Sequence, residues 1–261
     1  MSRPRARTRT MLHMPLPVQV CDLGQVEYSA TATLQRSLRE ARSSGAMEDL
    51  LLVVQHDPVI TAGYRTEYAD IAHACTRSIP VVATERGGKA TYHGPGQIVV
   101  YPIVDLRQHG QDVRAFVRGL EQALIQTLHA FSVPAVRRDE YPGVWVADRK
   151  IASIGLRVSR WITMHGLALN VDCDLEPNEW FTPCGIPDVS MTSLARELGA
   201  AQCPRLPAVQ HLLIEELAAA FELAQHAVSE HSLRDIAKQF PVEDPHLELP
   251  SPQPRDLAVL A

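Results

Sequence analysis

Three apolar segments of strand length follow one another between residues 143 and 171, with no room for a helix between them. They span residues 143–146, 151–158 and 164–171, and short polar turns at 147–150 and 159–163 separate them. Parallel strands need a crossover of a dozen or more residues, so strands joined by such turns pair antiparallel. The segment therefore predicts a meander and argues against strict alternation of strands and helices.

Helices are predicted on both sides of the meander in the sequence. Residues 28–44 place Leu34 and Leu38 on one face and end before Gly45, a common helix stop. Residues 112–131 carry apolar side chains at the i, i+3, i+4, i+7 spacing of a helix lying on a sheet. A helix capped by Ser190 or Thr192 and ending near Gly199, and a longer one at 207–226, are also expected.

Apolar runs at 50–54, 79–83 and 98–104 predict three further strands. Runs of strands interrupted by single helices are typical of the α+β class. We therefore expect an α+β fold with a mixed, largely antiparallel sheet flanked by helices. Residues 18–240 are predicted to form a single domain, with a basic, disordered N-terminal arm at 1–17 and a loose Pro-rich C-terminal tail at 241–261.

Composition excludes several classes of function. No apolar run approaches the roughly 20 residues that cross a bilayer, which predicts no membrane span. The net charge of −5 argues against nucleic acid as a partner. The five cysteines form no C-x-x-C pair and the histidines show no metal-ligand spacing, so we expect a cytoplasmic protein with no metal site.

Residues 86–97 form a segment with four glycines between two predicted strands. Glycine permits close approach of the backbone to a ligand, but a structural loop is an equal alternative. The segment is not a P-loop, because Gly88-Lys89 is followed by Ala90, and it lacks the third glycine of a dinucleotide fingerprint.

Cys184 lies between Pro183 and Gly185, where little bulk would hinder a substrate carbonyl. The backbone N–H groups of Gly185 and Ile186 are candidate donors to an oxyanion in acyl transfer. A buried structural cysteine is the alternative, because cysteine is among the most buried residue types.

Lys150 follows Asp148 and Arg149 in a predicted hairpin turn. An ammonium group beside Cys184 would stabilise its thiolate, whereas a solvated lysine is the usual occupant of such a turn. His93 and His165, each followed by glycine, are candidates for acid–base chemistry or for structural histidines.

Four separate motifs carry a family resemblance. They are RGGKATYHGPGQ at 86–97, GVWV at 143–146 with KIASIGLR at 150–157, HGLALNV at 165–171, and FTPCGI at 181–186. Together, over roughly residues 18–223, they resemble the octanoyltransferases of lipoate biosynthesis. The resemblance implies the fold of the lipoate and biotin protein ligase catalytic domains.

The resemblance also implies a reaction and a site. An octanoyl or lipoyl group would move from acyl carrier protein to a lysine of a lipoyl domain through a thioester on Cys184, with Lys150 lowering the pKa of the thiol and moving the proton. Substrate-binding residues implied by the motifs are Arg86, Gly87, Gly88, Lys89, Ala90, Thr91, Tyr92, His93, Ser153, Ile154, Gly155, Gly166, Leu167 and Ala168.

The implied partners are octanoyl-acyl carrier protein and the lipoyl domains of 2-oxoacid dehydrogenase complexes and of the glycine cleavage H protein. No cofactor is implied beyond the donor's phosphopantetheine arm. Because both partners are expected to be acidic, Arg149, Arg157 and Arg160 are a candidate docking patch. Two alternatives remain open, an ATP-dependent lipoate–protein ligase and a carrier-protein binder without catalysis.

Overall fold

The computed structural model describes residues 14–251 of the chain. Its strands are β1 Leu16–Val26, β2 Asp49–His56, β3 Val59–Ala62, β4 Val81–Ala83, β5 Thr91–His93, β6 Gln97–Ile103, β7 Ala135–Arg137, β8 Gly143–Val146, β9 Arg149–Ser159, β10 Ile162–Asn170, β11 Ser190–Met191 and β12 Leu223–Ala227. Its α-helices are α1 Tyr28–Ser44, α2 Tyr68–Ile71, α3 Val113–Ala130, α4 Leu194–Leu198, α5 Leu206–Ala220 and α6 Glu230–Gln239.

A nine-stranded sheet forms the centre of the molecule. Its order is β12-β1-β2-β6-β10-β9-β8-β7, and β11 pairs beside β9. The pairs of β1 with β12, of β1 with β2 and of β9 with β11 are parallel. The successive pairs from β2 through β6, β10, β9 and β8 to β7 are antiparallel. The predicted meander of β8, β9 and β10 and the α+β class with a mixed, largely antiparallel sheet are confirmed.

Helix α1 covers one face of the sheet. The Glu27 side chain caps it by accepting from the N–H groups of Ser29 and Ala30, and Gly45 ends it at φ 82°. Its residues Leu34 and Leu38 pack with apolar side chains of β2 and β6. The predicted bounds of 28–44 are those observed.

Helices α3 and α5 cover the opposite face. Asp112 caps α3 by accepting from two backbone N–H groups, and Phe116, Leu120 and Leu124 are buried against the sheet. The apolar stripe predicted for residues 112–131 therefore packs against the sheet. The helix itself runs from Val113 to Ala130.

A small sheet of order β4-β3-β5 forms beside the large one. The Gly-rich segment leads into β5 and meets β9, where the Gly87 N–H donates to the Leu156 carbonyl over 3.0 Å. A Cβ on Gly87 would lie 3.0 Å from that oxygen, so glycine permits the close approach.

Strand β10 is irregular where it passes Pro102 of β6. Pro102 has no N–H to give, and the pairing of β6 with β10 stops at Val100. The Thr163 hydroxyl instead donates to the Pro102 carbonyl over 2.6 Å and accepts from the Val104 N–H over 3.0 Å. Beyond it, His165 adopts φ 59°, and its N–H donates to Gln35 Oε1 over 2.9 Å.

The C-terminal elements differ from the sequence-based expectations. The helix predicted at 207–226 ends at Ala220, and Leu223–Ala227 form β12 because β1 offers a free parallel edge. Helix α4 is capped by Ser193 rather than by Ser190 or Thr192. Strand β1 and helix α6 were not predicted.

The predicted arm and tail are described only in part. Leu16 and Pro17 pair with β12, so the ordered sheet begins inside the predicted arm of 1–17. Residues 241–251 contain no helix or strand; within them Asp244 accepts from Arg36 and Leu249 packs against the small sheet. The loose tail at 241–261 stays a prediction. Residues 1–13 and 252–261 lie outside the described part. Between residues 14 and 251, no helix is long and apolar enough to cross a membrane.

Replacing Thr163 by valine tests the irregularity at Pro102. The change keeps the shape but leaves a buried carbonyl and a buried N–H without partners, and we expect the free energy of unfolding to fall by about 2 kcal/mol. Chemical denaturation measures it. Thr127→Val is the matched control, because within residues 14–251 the hydroxyl of this buried threonine donates only to the Ala123 carbonyl of α3, and the change should cost under about 1 kcal/mol. Equal losses in the two variants would contradict the assignment.

Candidate active site

Cys184 lies in a tight turn of a 3₁₀ helix, Pro183–Gly185. The cysteine adopts φ 56° and ψ 8°, a left-handed conformation that non-glycine residues rarely take. Its N–H donates to the Ala90 carbonyl over 2.9 Å, and the Thr182 N–H donates to the Asp70 carbonyl over 2.9 Å. These two bonds fasten the turn to the Gly-rich segment and to α2.

Lys150 is buried in β9, with only 2% of its surface exposed. It pairs with Trp145 of β8 and Met191 of β11, so the strand continues through the position expected to be a solvated turn. Its Nζ lies 3.4 Å from Cys184 Sγ and donates to the Pro142 carbonyl over 3.0 Å. Folding therefore brings together the two residues that the sequence separates by 34 positions.

The thiol of Cys184 is set apart from other cysteines by its surroundings. Burial raises its pKa, but the Lys150 charge, the Ser153 hydroxyl and the Arg86 guanidinium together hold the pKa below its ordinary value. By contrast, burial raises the pKa of Cys173 to about 12 and that of Cys21 to about 11. The Cys184 thiol therefore ionises more readily than the thiols of Cys173 and Cys21.

Two hydroxyl groups also face the sulfur. Ser153 Oγ lies 3.8 Å from Cys184 Sγ, and Thr91 Oγ1 lies 3.9 Å from it. The backbone donors proposed from the sequence are occupied, because the Gly185 N–H donates to Thr182 and the Ile186 N–H donates to Pro183. The prediction that these two N–H groups donate to an oxyanion is therefore wrong, because both already donate to carbonyl groups of the tight turn.

Lys89 and Asp70 form a clamp over the cysteine turn. Lys89 Nζ lies 3.0 Å from an Asp70 carboxylate oxygen. A Cβ on Gly185 would lie 2.1 Å from Lys89 Cδ, so the aliphatic part of Lys89 covers the turn. Glycine at 185 makes this contact possible.

A cavity of about 500 Å³ opens beside Cys184. Twelve of the fourteen predicted substrate-binding residues line it, together with Lys150 and Cys184: Arg86, Gly87, Gly88, Lys89, Thr91, His93, Ser153, Ile154, Gly155, Gly166, Leu167 and Ala168. Ala90 and Tyr92 do not, because alternation along β5 turns Thr91 and His93 to the cavity and Tyr92 to the core of the small sheet. Ala90 contributes its carbonyl to the cysteine turn.

Sequence reasoning missed several lining residues. Tyr28 from α1, Val99 and Tyr101 from β6, and Tyr141 and Pro142 before β8 also line the cavity. Val99 and Tyr101 stand two positions apart on one strand, which marks a shared face. No motif distinguished that face from an ordinary core.

Arg86 is buried against β3. It donates to the Thr61 carbonyl over 2.6 Å and to the Thr61 hydroxyl over 2.8 Å. No carboxylate between residues 14 and 251 lies within salt-bridge distance of it. Its charge is therefore available to groups inside the cavity.

The two candidate histidines are neutral. Burial lowers the pKa of His93 to about 3, and its Nδ1 lies 2.7 Å from Gln97 Oε1. Gln97 donates through Nε2 to Asn170, which leaves Oε1 as an acceptor, so His93 carries its proton on Nδ1. Burial and four nearby arginines hold the pKa of His165 well below its ordinary value. Neither side chain is a proton donor of imidazolium type near neutral pH.

The three arginines of the predicted docking patch each have an acidic partner in the chain. Arg149 makes two bonds of 2.9 Å to Glu197, Arg157 lies 3.4 Å from Glu85, and Arg160 pairs with Glu40. Their charges are thus partly neutralised. In the described part of the chain, no group of three or more His, Cys, Asp or Glu residues is arranged to hold a metal ion.

Comparisons with known proteins agree with this geometry. Residues 27–221 match the family model described as the lipoyl protein ligase A/B catalytic domain. An octanoyltransferase of Chloroflexus aggregans is 43% identical over 224 residues, covering 83% of this chain and 96% of the relative. An octanoyltransferase of Mycobacterium leprae is 46% identical over 192 residues, covering 71% of this chain and 81% of the relative.

A solved structure supports the fold. The bipartite lipoate protein ligase of Thermoplasma acidophilum superposes with a TM-score of 0.64 at 15% identity, covering 87% of this chain and 92% of that one. At this identity the likeness concerns the fold alone. The expected ligase-like architecture is confirmed.

Substituting Lys150 by methionine should raise the pKa of the Cys184 thiol, because the ammonium that stabilises the thiolate is removed. Alkylation of Cys184 near neutral pH should slow by roughly tenfold, since the thiolate is the reactive form. Peptide mass spectrometry across a pH series measures the rate, with exposed Cys75 as the internal reference. Lys89→Met is the control, and an equal slowing in both lysine variants would refute the assignment to Lys150.

Proposed function

The chain belongs to the lipoyl protein ligase A/B catalytic-domain family and, within it, to the octanoyltransferases, and we propose that it transfers the octanoyl group to a lysine of a lipoyl domain through a thioester on Cys184. Octanoyl transfer is the activity named for relatives that are 43% and 46% identical over most of the chain. The observation that carries the thioester step is the 3.4 Å contact of Lys150 Nζ with Cys184 Sγ beside the cavity.

In the first half-reaction the Cys184 thiolate attacks the carbonyl carbon of an octanoyl thioester. The new carbon–sulfur bond forms on Cys184, and the donor's carbon–sulfur bond breaks. The departing thiolate takes a proton from the Lys150 ammonium, which leaves octanoyl-Cys184, a free donor thiol and a neutral Lys150 amine. No nucleotide is needed, because the donor thioester already activates the acyl carbon.

In the second half-reaction the amine of the acceptor lysine attacks the same carbonyl carbon. An amide bond forms as the bond to Cys184 Sγ breaks, and the proton lost by the attacking amine moves to Lys150. The thiolate–ammonium pair is restored, so the site is ready for another donor. One basic group thus serves as acid in the first step and as base in the second.

The hydroxyl groups of Ser153 and Thr91 are the proposed donors to the oxyanion in both steps. The oxyanion is bonded to the carbon that Sγ attacks, which brings it within reach of hydroxyls 3.8 and 3.9 Å from the sulfur. The Arg86 charge, without a carboxylate partner among residues 14–251, favours the same developing negative charge.

Acyl carrier protein is the proposed octanoyl donor, and lipoyl domains of 2-oxoacid dehydrogenase complexes and of the glycine cleavage H protein are the proposed acceptors. The structural neighbour from Thermoplasma acidophilum is described with its E2 lipoyl domain, which supports this acceptor class. All five cysteines are free thiols, which suits the reducing conditions of the cytoplasm, the proposed location.

A Cys184-linked octanoyl adduct is expected when the protein meets octanoyl-acyl carrier protein without ATP. Intact-mass analysis detects it, and addition of a lipoyl domain should discharge it onto the acceptor lysine. Cys184→Ser should form no thioester, whereas Cys75→Ser should behave as the parent protein. Acyl transfer that requires ATP, with no adduct at any time, would instead favour a lipoate–protein ligase; no transfer under either condition would favour a binder.

Ser153→Ala should reduce kcat for acylation by roughly 10- to 100-fold, because an oxyanion donor acts mainly in the transition state. Single-turnover acylation of Cys184 measures the rate. Ser190→Ala, at an exposed serine of β11, is the control. A change confined to KM would assign Ser153 to substrate binding alone.

A further inference from the structure

Glu121 is a buried carboxylate that the proposed reaction does not use. It lies on α3 with 5% of its surface exposed. A buried carboxylate is costly unless hydrogen bonds or an opposite charge compensate it. Its Oε1 accepts from the Gly143 N–H over 3.0 Å, and its Oε2 lies 3.5 Å from Arg137 Nε. Glu121 is thus bonded to the first residue of β8.

A single peptide unit connects this carboxylate to Lys150. The N–H that Glu121 accepts belongs to the amide between Pro142 and Gly143. The carbonyl of the same amide accepts from Lys150 Nζ over 3.0 Å. In a trans amide the N–H and the C=O point in opposite directions, so one flat group spans the space between the carboxylate and the ammonium. On its other side, Nζ lies 3.4 Å from Cys184 Sγ.

Gly143 permits this orientation of the peptide but does not enforce it. The residue adopts φ 126°, which side chains rarely allow, and a Cβ there would collide with the Ala152 carbonyl and lie 2.8 Å from Lys150 Cε. Glycine has more conformational freedom than any other residue, so it leaves the peptide several alternatives. The bond to Glu121 selects the one in which the carbonyl faces the lysine.

Strand β9 is irregular at the same place. Its register against β8 shifts by one residue, and Ile151 is the extra residue. In a regular strand, residues three apart such as Lys150 and Ser153 lie on opposite faces. Here both side chains reach the same sulfur, over 3.4 and 3.8 Å. Because a bulge disrupts the ladder of hydrogen bonds, the position of Lys150 depends more on its side-chain contacts.

We propose that Glu121 is a positioning residue for the thioester chemistry: it orients the Pro142–Gly143 peptide and thereby holds the Lys150 ammonium against Cys184 Sγ. This inference rests on the roles proposed for Lys150 and Cys184. It adds a residue that does not line the cavity and acts through another.

The charges and the peptide dipole are aligned along this path. The carboxylate faces the positive end of the amide, and the ammonium faces its negative end. Hydrogen bonds to charged groups are stronger than neutral ones, and bonds in series polarise one another. A peptide turned the other way would present its N–H to the ammonium and displace Nζ from the sulfur. Because the attraction between two charges falls with their separation, the reactivity of the Cys184 thiol reports on that displacement.

Two variants of Glu121 separate the hydrogen bond from the charge. Glu121→Met keeps an unbranched side chain and removes both acceptor oxygens. Glu121→Gln keeps an acceptor for the Gly143 N–H and removes the charge. Glu121→Met is also combined with Lys150→Met. Alkylation of Cys184 near neutral pH is followed by peptide mass spectrometry, with exposed Cys75 as the internal reference.

We expect Glu121→Met to slow the alkylation of Cys184 by roughly three- to tenfold, and not beyond the effect of Lys150→Met. Glu121→Gln should restore the rate to within about twofold of the parent, because the peptide keeps its acceptor. In the Lys150→Met background, Glu121→Met should change the rate by less than about twofold, since residues that act through one another are not additive.

Asp49→Asn is the matched control. Asp49 is a buried carboxylate of β2 that accepts from Arg42 over 2.7 Å and lies 2.6 Å from His109 Nε2. None of these three residues lines the cavity. The variant removes a buried charge without touching the peptide beside Lys150, so the alkylation rate should stay within about twofold of the parent. Thermal melts monitored by circular dichroism confirm that each variant is folded.

Four outcomes would overturn the inference. Equal slowing by Glu121→Met with and without Lys150 would show that Glu121 does not act through the lysine. Slowing in Glu121→Gln as large as in Glu121→Met would assign the effect to the charge and not to the orientation of the peptide. An unchanged or faster reaction in Glu121→Met would show that Lys150 needs no such support, and equal slowing in Asp49→Asn would indicate general destabilisation.

The proposed function is tested separately from this inference. Alkylation requires neither an acyl donor nor an acceptor, so it measures the contact of Lys150 with Cys184 alone. If the parent protein forms no octanoyl adduct with octanoyl-acyl carrier protein, the proposed function fails whatever the alkylation rates are. If the adduct forms and the rates of the Glu121 variants do not behave as expected, only the role of Glu121 is refuted.

Discussion

The contact between Lys150 Nζ and Cys184 Sγ is the interaction on which the site depends. An isolated ammonium or thiolate in a buried position loses hydration that it cannot recover alone, so each charge is sustained by the other. The remaining contacts of Lys150 serve this pair, because the Pro142 carbonyl accepts one of its protons and the Trp145 ring lies 5.3 Å from Nζ. At Gly143 of β8, a Cβ would lie 2.8 Å from Lys150 Cε, so the glycine leaves room for the lysine side chain.

Two structural units must meet for the pair to form. The large sheet supplies Lys150 and Ser153 from one strand, while the small sheet and α2 hold the cysteine turn through the Ala90 and Asp70 carbonyls. The Lys89 clamp closes over the turn from the same side. The geometry of the proposed site thus depends on the junction of the two units, and a shift of the small sheet would change the distance between Cys184 Sγ and Lys150 Nζ directly.

The sequence predicted well those elements that are stabilised by residues close to one another along the chain. Helix α1 has a cap, an apolar face and a terminal glycine, and its bounds follow from them. Strand β12 has no such signal, because its residues are largely exposed and become a strand only through pairing with β1. The burial of Lys150 also could not be predicted from the sequence. Asp148 and Arg149 are typical turn residues, and the pairing of β9 with β11, which covers Lys150, is visible only in the structure. The occupied N–H groups of Gly185 and Ile186 follow from a turn geometry that spacing does not specify.

The glycines of residues 86–97 have a packing explanation that bears on the reaction class. The Gly87 N–H pairs with Leu156 of β9, and a Cβ on Gly155 would lie 3.3 Å from Arg86 Cδ. The segment therefore uses glycine to lie against a strand, which sets Arg86 and Thr91 beside the sulfur. A loop that cradles phosphate would instead present consecutive N–H groups to its ligand. The same fold occurs in a lipoate protein ligase at 15% identity, so the fold does not determine the chemistry. The residues at the junction do, and here they set a thiol of lowered pKa beside an ammonium group, the pair that the proposed thioester step requires.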